Sequence, residues 1–88
     1  SFANKNDIWF HTKDIHGSHV ILKNTQPITD EILIKCAKLA AKYSKAYDSS
    51  NVPVDYCFVQ FVKKPNGAKP GMVIFTNNKT LNVNPLED

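Results

Sequence analysis

The spacing of apolar residues changes several times along the chain, and each change marks an element. Asp7-Ile8-Trp9-Phe10-His11-Thr12 is an aromatic and β-branched run, the composition of a pleated strand. His19 to Lys23 reads as a second strand, and Lys13-Asp14-Ile15-His16-Gly17-Ser18 between them is short enough for an antiparallel hairpin. One register puts Ile8 opposite Leu22 and Phe10 opposite Val20, giving a continuous apolar face turned to the core. The same register places Asp7 by Lys23, Trp9 by Ile21 and His11 by His19 on the other face, which is where polar chemistry collects.

After Pro27 the period lengthens. Thr29 is placed to cap a helix, Asp30 and Glu31 suit its positive first turn, and the helical spacing runs to about Tyr47. Ile32, Cys36, Leu39, Ala40, Tyr43 and Tyr47 form the stripe expected to face the core. Lys35, Lys38, Lys42 and Lys45 fall on the opposite side. Asp48 to Pro53 is a polar turn, and the almost unbroken apolar run Val54 to Val62 predicts a longer central strand buried on both faces. Lys63 to Pro70 is a Pro/Gly loop, followed by short strands at Met72–Thr76 and Thr80–Val83 joined through Asn77-Asn78-Lys79. Pro85 to Asp88 reads as a frayed tail. The expected fold is α+β, in the order β-β-α-β-β-β: an antiparallel or mixed sheet of about five strands under one principal helix.

Composition narrows the picture further. Eighty-eight residues suffice for one domain with one core, spanning residues 1–88. Lysine supplies all eleven basic charges against eight carboxylates, so the net charge of +3 says little and the distribution must carry any argument for a polyanionic partner. No apolar run reaches the roughly 18 residues of a membrane span, and no signal-type start is present, so a cytoplasmic setting is expected. Cys36 and Cys57 have neither zinc-site spacing nor disulfide-scaffold density and read as buried thiols.

His11, His16 and His19 invite a metal reading, but a site needs three or four converging ligands and only Asp7 and Asp14 lie nearby. Hydrogen-bonded sheet histidines are the expectation. A reactive Cys-His pair needs an exposed thiolate, and the three glycines are not spaced as a phosphate loop, so no catalytic residue and no cofactor is assigned. Lys63-Lys64-Pro65-Asn66-Gly67-Ala68-Lys69-Pro70-Gly71 places three ammonium groups and several free amides on a stiffened loop, suited either to phosphate oxygens or to solvent alone. The helix lysines admit the same two readings. Trp9, flanked by His11 and Lys23, could stack on an unpaired base or on core residues, whereas Tyr56, Phe58 and Phe61 read as core.

The run from Asp7 to Val20, with an acidic residue, an aromatic and a histidine before Gly17-Ser18-His19, resembles the first signature of the NFACT-R domain of the RqcH/NFACT family. Val62 to Gly71 followed by Met72-Val73-Ile74-Phe75 resembles that family's second signature. The resemblance implies an RNA-binding module of a large cytosolic ribosome quality-control factor, which binds obstructed large ribosomal subunits and recruits alanyl-tRNA for C-terminal alanine tailing. It implies tRNA, large-subunit ribosomal RNA and other domains of the parent as partners. Carried over residue by residue, the signatures fall on Asp7, Trp9, His11, Gly17, Ser18 and His19, then on Lys63, Lys64, Pro65, Gly67, Lys69, Pro70 and Gly71. RNA contacts are expected from Lys63, Lys64, Lys69, Gly67, Gly71, Trp9, His11, His19 and Lys13.

Two departures stand out. His16 occupies a turn position where the family commonly has proline, and the family domain begins earlier, with a strand and an amphipathic helix of which Ser1-Phe2-Ala3 resembles only the end. The chain is therefore expected to be a fragment of a larger protein. Two rival readings stand beside RNA binding. One is an adhesin module binding fibronectin, after the family's older label, which would require export; the other is a metal-dependent hydrolase using His11, His19 and a carboxylate.

Overall fold

Alternation along the first strand sends Ile8, Phe10 and Thr12 to one side and Trp9 and His11 to the other, and the molecule is built around that division. A computed structural model describes residues 3–69 and 71–87. Its elements are β1 (Ile8–Thr12), β2 (Val20–Leu22), α1 (Asp30–Lys42), β3 (Val52–Phe58), a 3₁₀ turn at Val59–Phe61, β4 (Val62–Lys63), β5 (Ile74–Phe75) and β6 (Lys79–Val83). Four strands make an antiparallel sheet in the order β2-β1-β3-β6, while β4 and β5 form a separate antiparallel ribbon. The α+β reading, with one helix, holds.

The hairpin has the expected register, Ile8 opposite Leu22, Trp9 opposite Ile21 and Phe10 opposite Val20. Helix α1 covers the Ile8/Phe10 face, where Phe10 and Val54 are fully buried with Val52, Val83 and the helix alanines 37, 40 and 41. Each large apolar side chain so buried contributes about 1.5–3 kcal/mol. Thr29 caps the helix as its position predicts, its hydroxyl accepting from the Ile32 amide at 3.2 Å.

Five expectations are corrected. The helix ends at Lys42 and not near Tyr47, because the next residues are claimed by the hairpin turn. Ser18 donates its amide to the Tyr43 carbonyl, Lys45 donates to the His16 carbonyl, and the Ser44 hydroxyl turns back onto the Ala41 carbonyl at 2.7 Å. Gly17 permits this seam: a Cβ there would stand 2.8 Å from the Ser44 Cβ. The buried helix stripe is also rotated from the expected one. Leu39, Tyr43 and Tyr47 are exposed, and the helix instead packs through Ala37, Ala40 and Ala41 with Leu33 and Cys36. Small residues let the helix axis approach the sheet closely, which a reading weighted toward large apolar residues misses.

The expected strand from Val54 to Val62 breaks after Phe58 into the 3₁₀ turn, leaving Phe58 exposed, so it is not core. Finally, β5 and β6 do not pair with each other. Asn77 adopts a left-handed φ of 55° between them, β5 returns to β4 and β6 to β3. The C-terminal segment is folded at least to Glu87: Pro85 is buried, and the Asn84 side chain bonds the Asn51 amide and Glu87. Ser1, Phe2, Pro70 and Asp88 lie outside the described residues.

Candidate nucleic-acid interface

The sheet face opposite the helix carries Trp9 and Cys57 in one cross-strand pair and His11 and Asp55 in the next. Over it folds the β4–β5 ribbon with its long loop, whose Phe75 ring lies 4.7 Å from the Trp9 ring. The indole is consequently buried at 2 % exposure, so its face cannot serve as a platform for a base. Nor does it pack under the helix. It is sandwiched by Phe75 and His11, whose ring stacks within 6° of parallel at 5.8 Å, with the edge of His19 5.5 Å away.

His11 sits between two carbonyls, Nδ1 at 2.8 Å from that of Thr12 and Nε2 at 3.2 Å from that of Gly17. A neutral imidazole can donate to only one of these and the cation to both. The His11 and His19 rings meet edge to face at 5.0 Å, as the hairpin register leads one to expect. Burial, and secondarily the neighbouring His11, push the His19 pKa down. Among the described residues no group of three or more His, Cys, Asp or Glu side chains converges as metal ligands would. Burial raises the pKa of both thiols, that of Cys57 further because Asp55 is near, and both cysteines are free thiols. Neither is an activated thiolate.

Asp55 did not stand out in the sequence. It is 2 % exposed, and its Oδ1 receives Lys13 Nζ at 2.9 Å, Thr80 Oγ1 at 2.8 Å and Asn78 Nδ2 at 3.1 Å. A carboxylate interrupting the apolar run Val52–Phe58 was the available signal, since a buried charge demands partners. Lys13 is thereby tied to the sheet: its ammonium is held by Asp55, first through the hydrogen bond and then the opposite charge, both of which raise its pKa.

Asp7 also proves structural. Its carboxylate accepts the Asn4 amide at 2.7 Å and the Asn24 amide at 2.9 Å, and it pairs with Lys23 at 3.3 Å, closing the open end of the hairpin. The two backbone amides foremost, opposed by burial and aided by Lys23, hold the Asp7 pKa below its ordinary 3.8. A depressed carboxylate pKa stabilises the fold above the ordinary value, and that contribution is lost as pH falls through the lower folded value. Asp7→Asn is accordingly expected to lower the urea midpoint at neutral pH and to converge on the parent chain in acid below about pH 3.8; a constant gap at every pH would contradict it.

The loop's lysines remain in solvent. Lys63, Lys64 and Lys69 are exposed, and Gly67 and Gly71 take left-handed φ values of 74° and 83° with open space at the Cβ position. Lys63 and Lys64 stand at the exit of β4. Lys69 instead reaches a groove shared with His11, His16, Gly17, His19 and Met72. That groove runs into a narrower slot of about 230 Å³ between sheet and ribbon, where Trp9, His11, Asp14 and Asp55 face Met72 and Val73. The structure thus joins Lys69, His11, His19 and Gly71 in one concavity, with Trp9 in its wall; Ser18 lies exposed at the turn. Phe75, Met72 and Val73 were missed as site residues, because the ribbon's position over the sheet is a long-range packing result.

Among the described residues no helix is long and apolar enough to cross a membrane. Residues 1–77 match the family model described as the NFACT protein RNA-binding domain. The chain is 50% identical over 86 residues to the Rqc2 homolog RqcH of Bacillus subtilis (strain 168), covering 98% of this chain and 15% of that protein. It is 45% identical over 86 residues to the Rqc2 homolog RqcH of Streptococcus suis (strain 05ZYH33), covering 98% of this chain and 16% of that protein. A solved structure, the C-terminal part of the fibronectin/fibrinogen-binding protein from Streptococcus suis, superposes with a TM-score of 0.93 at 44% identity, over 99% of this chain and 35% of that one. With signature, fold and relatives in agreement, the chain belongs to the NFACT RNA-binding domain family.

Proposed function

We propose that this chain is the RNA-docking module of a ribosome quality-control factor acting in the cytoplasm, contacting tRNA or large-subunit ribosomal RNA while the rest of a longer protein supports alanine tailing. The observation that carries the reading is the solvent-exposed loop that presents Lys63, Lys64 and Lys69, the last of them at the groove, in a chain of an RNA-binding family. Ammonium groups on a glycine-turned loop meet phosphate oxygens without reading sequence, the part of recognition that sets position and affinity. Gly67 and Gly71 permit the loop's course, and His11 and His19 shape the groove it borders. The role is docking, and no reaction is assigned to these residues.

The test is an amide NMR titration of the chain with a tRNA at low and moderate salt. Shifts clustering on residues 63–71 and on the hairpin turn, weakening steeply as salt rises, are expected. A folded chain whose spectrum does not move at low salt would defeat the reading. The name of the Streptococcus suis structural neighbour favours a second reading, fibronectin recognition. Saturable, salt-tolerant binding to immobilised fibronectin, without RNA-induced shifts, would select it.

A further inference from the structure

Among the described residues, Trp9 Nε1 is the one buried side-chain nitrogen or oxygen with no hydrogen-bond partner. Buried indole N–H groups ordinarily find an acceptor, and leaving one unmet is costly. The neighbours are already engaged: His11 faces two carbonyls, Lys13 is held by Asp55, and the hydrogen bonds to Asp55 all end on Oδ1, with Oδ2 taking none of them. Trp9 and Asp55 both line the slot. One wall therefore holds the indole, its N–H buried and unmet, and a carboxylate, and the other the apolar Met72 and Val73 of the ribbon.

We infer that this slot receives the base of a single unpaired nucleotide, whose phosphate lies at the mouth beside Lys69, His16 and His19. This rests on the RNA-docking reading and goes beyond it by placing a base. The volume of about 230 Å³ falls below the roughly 300–1,000 Å³ of ordinary small-molecule sites and suits one flat ring. Every nucleobase carries an acceptor next to a donor on its pairing edge, the complement of an indole N–H and a carboxylate in one wall. Charge fixes the orientation. Asp14 and Asp55 line the slot and repel phosphate, while Lys69 lines the adjoining groove and attracts it. A base locked in a duplex cannot enter, so the slot selects single strands, loops or ends.

Trp9 is the only tryptophan of the chain, so its indole N–H signal is an isolated reporter. The 88-residue chain is titrated with a short single-stranded RNA, the same strand annealed to its complement, the four nucleoside monophosphates, and ribose phosphate. The indole signal is expected to move with the single strand and the nucleotides and to stay in place with the duplex and with ribose phosphate. Trp9→Phe, which keeps a ring but removes the N–H, is expected to weaken single-strand binding about tenfold, as loss of a buried polar partner does, with the shifts on residues 63–69 retained. Because that variant touches the core, exposed Met72→Glu at the slot's lip provides a second route. It should abolish the indole shift and leave the fold intact. An indole signal that stays still while saturating single-stranded RNA moves the lysine loop would overturn the slot and spare RNA docking. A spectrum unmoved by every RNA and every nucleotide would overturn both.

Discussion

Alanine at Lys63, Lys64 and Lys69 together is expected to weaken RNA binding by about tenfold or more at low salt and to leave stability nearly untouched. The three ammonium groups are exposed, and surface substitutions of this kind usually change stability by less than about 0.5 kcal/mol each. Every phosphate that no longer meets an ammonium group should flatten the dependence of log affinity on log salt by about 0.7–0.9, so the triple variant should lose roughly two units of slope. Measuring affinity across a salt series, with a urea unfolding curve beside it, separates the possibilities. An unchanged slope would mean that these lysines meet something other than phosphate. A slope reduced together with a lowered unfolding midpoint would mean that the loop braces the ribbon.

Trp9→Ala is the converse case, with a large expected effect on folding. Removing a fully buried aromatic costs about 3–5 kcal/mol, a large share of the roughly 5–15 kcal/mol that holds a typical domain together. The loss should not be evenly spread. Trp9 is the surface on which Phe75 rests, and the ribbon's own ladder is only two residue pairs, Val62 with Phe75 and Lys63 with Ile74. Amide exchange in residues 62–75 should therefore accelerate more than in β1, β3 or α1. Uniform acceleration across the chain would show that ribbon and sheet unfold as one unit. Trp9→Phe, retaining an aromatic ring against Phe75, should recover most of the stability.

These contrasts mirror what could be read along the chain. The hairpin register was legible because alternation and a short turn leave one pairing that gathers Ile8, Phe10, Val20 and Leu22 on a single face. The start of the helix was legible at Thr29, where a cap is a local event. Its end was not, since Ser44 is captured by Gly17 from a distant turn, and helical periodicity says nothing about that. Trp9 was placed on the correct face of the hairpin, but its surroundings were not foreseeable. Phe75, which covers it, belongs to a two-residue strand whose partner could not be chosen from pattern alone. The lysine loop was visible as composition, whereas Asp55 and its claim on Lys13 depend on the packing of β3 between β1 and β6.

The alanine face of α1 has an electrostatic consequence. Seating the helix through Ala37, Ala40 and Ala41 turns Lys35 and Lys42 outward on one side of the sheet, while Lys69 and the groove occupy the other. A helix is about 10–12 Å across with its side chains, so the two sets of charge lie farther apart than the screening distance of about 8 Å at physiological ionic strength. They act as independent poles. A nucleic acid held at the groove leaves the helix pole untouched: there Lys35 is already met by Glu31 at 3.9 Å and Glu87 lies beside Lys35 and Lys42, so the back of the module is a face of mixed charge.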